Sequence, residues 1–295
     1  MLLLAAACAR PETVELGDAH AQVRIRSVER SLLLDRLAAV PREDEERWLL
    51  MERMFKKVGC GEELERQPIA GAPLPNLICT LRGRTPARIV VGANYDRPKG
   101  GRGIVDDWSG AAMLPSLFTA MLAERRQHTF EFVAFFDAAG WREPTAKETW
   151  NRGSEHYVRS LDAAARERLR AMVALLAIGL GPLSAWVAHA DPELWLDFAA
   201  AARSLGHPLR DVSFEGGVPS DAEPFRTWGL PSITLHSHDQ DSLLLLRDAT
   251  RDRRLSRIDA DRYVESFRLI SVYLAYLDQA LAARAAAPNA AEPSP

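Results

Sequence analysis

Five short apolar runs constrain what this chain can fold into. They read NLICTLRG (76–83), RIVVGANYD (88–96), FEFVAFF (130–136), MVALLAIGLG (172–181) and LPSITLHS (230–237). Each reads as a strand apolar on both faces, which belongs in the middle of a layered protein. The segments between them have helical period. EDEERWLLMERMFKKV (43–58) follows Pro41, carries acids in its first turn and lysines in its last, and stops at Gly59. GAAMLPSLFTAMLAERR follows a Gly-rich loop, and GSEHYVRSLDAAARERLRAM is helical at its core. DPELWLDFAAAARSLG (191–206) starts at Asp191 or Pro192 and ends at Gly206. ADRYVESFRLISVYLAYLDQALAA is a long amphipathic helix near the C-terminus. Strands alternating with helices predict an α/β fold: a three-layer sandwich with a mostly parallel central sheet and helices on both faces. No repeat or linker divides it, so one domain is expected over residues 21–285.

The bulk numbers narrow the function classes. Of the 295 residues, 47 % are hydrophobic, enough for one large core. A net charge of −3 and the lack of a basic stripe argue against nucleic acid as a partner. The basic stretch RGRTPAR (82–88) reads as a solvated turn. There is no G-x-S-x-G, so a serine hydrolase is not indicated.

The two ends read differently from the middle. MLLLAAACARPET is an apolar run ending in Cys8, like the tail of a bacterial lipoprotein signal with Cys8 as the acylated residue. It departs from that pattern in having no basic flank and a short apolar stretch, so residues 1–20 are taken as a truncated signal-like or lipoprotein-like N-terminus. Bacterial cell envelope or secretion is the corresponding location. Residues 286–295, rich in Ala and Pro, read as a disordered tail. Cys60 and Cys79 lack metal-site spacing and read as buried thiols, with a disulfide between them left open.

Chemistry in an open α/β sheet sits at the carboxyl ends of strands. Here those ends read GANYD, then GIVDDWSGAAML opening a helix, then FFDAAG, with GSEHYV, SDAEPF and GLPSITLHS following. This succession resembles the co-catalytic di-zinc aminopeptidases of metallopeptidase family twenty-eight, whose relatives include leucyl aminopeptidases and glutaminyl cyclases. The likeness runs from about residue 25 to 280.

The resemblance implies zinc ligands at defined places, and this chain departs from most of them. A histidine is implied where Asn94 stands, oriented by the position of Asp96. The bridging aspartate falls on Asp106, with Asp107 beside it. The glutamate pair, general base and ligand, falls on Ala138 and Ala139. The next carboxylate falls near Gly179, and the last histidine near Arg247 or Asp248. Only Asp106 survives as a metal ligand, and zinc needs about four N or O donors. The expectation is therefore a catalytically inactive homologue without cofactor. Asn94, Asp96, Asp107, Ala138, Ala139 and Gly179 would line a vestigial pocket that accepts a peptide or partner protein. Its acids favour an amine and repel one another, so at least one is expected to be protonated or paired with Arg97 or Arg102, and Trp108 would fill part of the vacated cavity. The alternative is a metallohydrolase with zinc relocated to His236 and His238, aided by Asp106, Asp107, Asp239 and Asp241. Glu143 and Glu148 are weaker candidates for a substitute base.

Overall fold

The computed structural model describes residues 10–98, 101–137, 151–210, 220–238, 242, 252 and 254–287. Strands β1 (Pro11–Leu16) and β2 (Ala21–Arg26) form an antiparallel hairpin. Helices α1 (Arg30–Ala38) and α2 (Asp44–Lys57) follow, then β3 (Leu64–Gln67), β4 (Asn76–Leu81) and β5 (Arg88–Asn94). Next are α3 (Ser109–Met121), β6 (Thr129–Phe135), α4 (Arg152–Ser160), α5 (Ala163–Arg168) and β7 (Leu169–Leu176). The chain continues through β8 (Ser184–Ala185), α6 (Pro192–Ser204), α7 (Ala222–Thr227), β9 (Ser232–His236) and α8 (Ala260–Ala286).

Seven strands make the main sheet, in the order β3-β4-β6-β5-β7-β9-β8. The middle pairs β6–β5, β5–β7 and β7–β9 are parallel, while β3, β4 and β8 add antiparallel edges. Alternation along each strand sends side chains to two cores. Val91, Phe132, Val173 and Ile233 pack with residues of α3, α6 and α8. Val90, Val133, Phe135 and Met172 face Tyr157 of α4, Ala165 of α5 and Phe225 of α7. The three-layer sandwich expected from the strand pattern is thus present. Gly92 in β5 is forced by this packing, because a Cβ there would lie 2.3 Å from Phe135 Cε2.

Local chemistry fixes the helix starts. Asp191 accepts from the backbone N–H of Glu193 (3.0 Å) and Leu194 (3.2 Å), with Pro192 at the first helical position. Asp259 caps α8 in the same way, through Asp261 and Arg262.

Several expectations change. The helix read across 153–172 is two helices, and Leu169–Ala171 already belong to β7. That strand ends at Leu176, short of the 181 read from the apolar run. The ordered fold is under way by Pro11, since Val14 and Leu16 are buried, so residues 11–20 are not merely a leader. Cys60 and Cys79 are not free thiols: a disulfide joins the segment after α2 to the middle of β4, with Cα atoms 5.8 Å apart. Cys8 and the tail beyond residue 287 lie outside the described residues. No helix among those residues is long and apolar enough to cross a membrane.

Candidate functional site

The parallel strands deliver Asn94, Asp96 and Asp137 to their carboxyl ends. Asp96 is fully buried, and its Oδ1 accepts from the Asp137 backbone N–H at 2.9 Å. Asp137 Oδ1 in turn accepts from Arg152 N at 2.7 Å, tying the end of β6 to the start of α4. Asn94, in the orientation its neighbours require, donates from its amide nitrogen to Asp221 Oδ1 (3.1 Å) and Oδ2 (3.2 Å).

Asp106 and Asp107 sit in a wide irregular turn, Ile104–Trp108, where Asp106 leaves the helical region at φ −118°, ψ 94°. Asp252 holds this turn by accepting from Val105 N and Asp106 N at 2.9–3.0 Å. Ser109 is more than a helix cap. Its Oγ donates to Val105 O and accepts from Ile178 N at 2.8 Å, which fixes the turn to the end of β7.

The result is a group of carboxylates with little water to charge them. Burial, then the charge of Asp137, raises Asp96 well above the usual carboxylate range. Burial raises Asp107 likewise, with Asp106 the next cause. Asp106 is pushed up to about 6 by burial, against a hydrogen bond from Asp107 that pulls the other way. Asp221 is pushed up to about 8 by burial and by Asp137. Two acceptor atoms, Asp96 Oδ2 and Asp106 Oδ1, are sealed from solvent without a donor among the described residues.

The cation beside these acids is Arg47 of α2. Sequence reasoning missed it, because one arginine within an acid-rich helix carries no signal. Its side chain is 0 % exposed and donates to the carbonyls of Pro41 (3.2 Å), Tyr95 (3.3 Å), Asp96 (2.9 Å), Gly103 (3.2 Å) and Arg102. It feels the charges of Asp44, Asp107 and Asp96. Arg97, expected in this role, instead pairs with Glu43 at 3.1 Å, and Arg102 contributes its carbonyl. Trp108 is turned toward α1, with Nε1 donating to Leu37 O at 3.1 Å and Arg47 5.6 Å above its ring. Its indole is fully buried and is anchored on the end of α1.

The remaining candidates fall elsewhere. Gly179 has φ +96°, and a Cβ there would lie 2.6 Å from Ile258 Cγ2, so a side chain at this position would be strained and would have to displace Ile258. His236 Nδ1 accepts from His238 N at 3.1 Å, and the two rings lie 6.1 Å apart. Burial, then His238, pushes His236 down to about 3. Beyond burial, Asp106 is shifted by Asp107, Asp252 and Asp137, and His236 by His238. Ala138, Ala139, Glu143, Glu148, Asp239, Asp241, Arg247 and Asp248 lie outside the described residues. Asp221 was present in the quoted SDAEPF but had no assigned role. An acid immediately before a short helix was the available signal.

The geometry can be set beside known proteins. The sequence over residues 76–261 matches the model of peptidase family M28. This chain belongs to peptidase family M28. Its fold is similar to a glutaminyl cyclase from an Acidobacteriales bacterium, at 18 % identity and TM-score 0.71, covering 95 % of this chain and 99 % of that one. It is also similar to the LapA aminopeptidase of Legionella pneumophila, at 14 % identity and TM-score 0.66, covering 84 % and 70 %. For BSAP, a zinc aminopeptidase from Bacillus subtilis, the values are 20 %, 0.56, 68 % and 49 %, so the M28 chain spans about half of BSAP. No curated protein matches the sequence.

The described residues of this M28 member do not fit a pair of zinc ions. Among the described residues no three His, Cys, Asp or Glu side chains gather into a group that could hold a metal. The one retained ligand, Asp106, lies beside Asp107, and Asn94 presents an amide N–H to Asp221 where an imidazole is implied.

Proposed function

We propose that this M28 member is catalytically inactive and that its carboxylate cleft recognises the amino group of a peptide or partner protein. The observation that carries the reading is the Asn94–Asp221 contact. An amide donor occupies the place of a metal-binding imidazole, and its partner carboxylate is held by hydrogen bonds instead of a cation. Asp106 and Asp107, the half-buried acids of the group, support an amine as the recognised group. Asp106 Oδ1 has no donor among the described residues, and a buried acceptor without one costs about 1–3 kcal/mol. An ammonium brings three N–H donors and a positive charge. The Cys60–Cys79 disulfide supports an oxidising location, the cell envelope or outside the cell, where a lipid anchor at Cys8 would hold the domain.

One observation favours a second reading, a metallohydrolase with relocated zinc. His236 is kept neutral, the state in which imidazole binds metal. One experiment separates the two. Purified protein is soaked in zinc, desalted and analysed for metal, while amino-acid nitroanilides and glutaminyl peptides are assayed as substrates on the same sample. Near-zero zinc with no turnover is expected. One or two tightly held zinc ions per chain, with turnover, would overturn the proposal.

A further inference from the structure

Three basic stretches far apart in sequence meet at the amino-terminal ends of the parallel strands, opposite the carboxylates. RGRTPAR leads into β5 at Arg88, Arg125 precedes β6, and RERLR (166–170) runs from α5 into β7. The backbone joins them: Arg84 N donates to Arg126 O at 2.9 Å, Arg88 pairs with Thr129 and Leu169, and Met172 N donates to Pro231 O beside Trp228. Arg82, Arg88 and Arg226 have carboxylate partners in Glu63, Glu131 and Glu223. Among the described residues, Arg84, Arg125, Arg166, Arg168 and Arg170 have none. They follow the edge from β4 to β9, a span of roughly 19 Å at the usual strand spacing. At its far end Trp228 is 44 % exposed, with the Arg166 guanidinium 4.1 Å from its ring centroid.

We infer that this edge docks on an anionic phospholipid surface. Arg84 and Arg125 stand exposed in loops, Arg170 is exposed at the start of β7, and Arg166 and Arg168 are half-buried on α5; spread along the edge in this way, they suit a lattice of headgroup phosphates better than one ligand in a cleft. An exposed indole beside arginine is the side-chain pair that sits at headgroup level. The chain carries net −3, so a basic edge leaves an acidic remainder. Exposed Glu45, Glu46 and Asp259 stand at the starts of α2 and α8, while Glu43 pairs with Arg97 and Asp261 with Arg30. Docked in this way, the carboxylate cleft faces away from the bilayer.

The test uses the full chain with Cys8→Ser, so that no acyl group contributes, co-sedimented with phosphatidylglycerol vesicles and with phosphatidylcholine vesicles. Binding is expected only to the anionic vesicles and is expected to fade at high salt. Replacing Arg84, Arg125 and Arg170 together by Gln should weaken partitioning about a hundredfold, at about fivefold per arginine. Replacing Arg42, Arg53 and Arg257 by Gln, an equal charge loss elsewhere, should leave it within about threefold. Lack of dependence on anionic lipid, or equal effects of the two triple variants, would overturn the inference. Binding to duplex DNA without binding to vesicles would overturn it in favour of a nucleic-acid surface.

Discussion

The amide nitrogen of Asn94 donates to both carboxylate oxygens of Asp221, linking the end of β5 to the start of α7. Asn94→Leu keeps similar bulk and removes both donors. Asp221 would retain Ser154 as a partner but lose its contact across the site. A loss of about 1–3 kcal/mol is expected in urea unfolding. An unchanged midpoint would show that the contact is not formed in solution.

Asp221 also gives a pH prediction. Its folded value is pushed up to about 8 from an ordinary 3.8. Between those limits the folded chain keeps a proton that the unfolded chain has released. Stability should therefore fall as pH rises from about 4 to about 8, with Asp96 and Asp107 acting in the same direction. Thermal unfolding should show a higher Tm at pH 5 than at pH 8. In Asp221→Asn that difference should shrink, and an equal difference in both proteins would refute the assignment.

Arg47 closes the loop after β5 onto the loop before the irregular turn through backbone carbonyls alone. Arg47→Met leaves five of them to find other donors and should cost about 3 kcal/mol or more. Arg47→Lys retains the charge but not the planar fork, and should recover only part of the loss. Amide exchange localised to residues 95–108 would show that the effect arises at this clamp.

The disulfide spans 19 residues and ties the segment after α2 to β4. The double variant Cys60→Ala, Cys79→Ala should lose about 2–4 kcal/mol relative to the oxidised protein. Reductant should produce a similar loss in the parent chain and none in the variant. If reductant leaves the parent unchanged, the bond does not form.

The layered fold was legible in the sequence because its strands are short, apolar runs separated by capped helices. The Asp191-Pro192 and Asp259 starts could be read directly. The peripheral β1–β2 hairpin was not legible, because the alternation of charged and apolar residues in TVELGDAHAQVR is weak over so few positions and depends on packing against α6 and α8. Residues 169–171 have helical local pattern and are strand because pairing with β5 overrides local propensity. The absence of an imidazole at 94 was visible from residue identity alone. The roles of Arg47 and Asp221 were not, since both depend on which distant backbone or side chain arrives beside them. The basic edge failed for the same reason: each stretch reads as a solvated turn until the sheet aligns them.

Gly179 has a historical consequence. A side chain at that position meets Ile258 Cγ2 at 2.6 Å and Tyr263 Cβ at 3.2 Å, on a backbone at φ +96°. A carboxylate there would strain the backbone and push aside the Ile258 side chain just before α8. Regaining a metal ligand at 179 would therefore need compensating changes around Ile258 and Tyr263, whereas the carboxylates already in place carry no such cost.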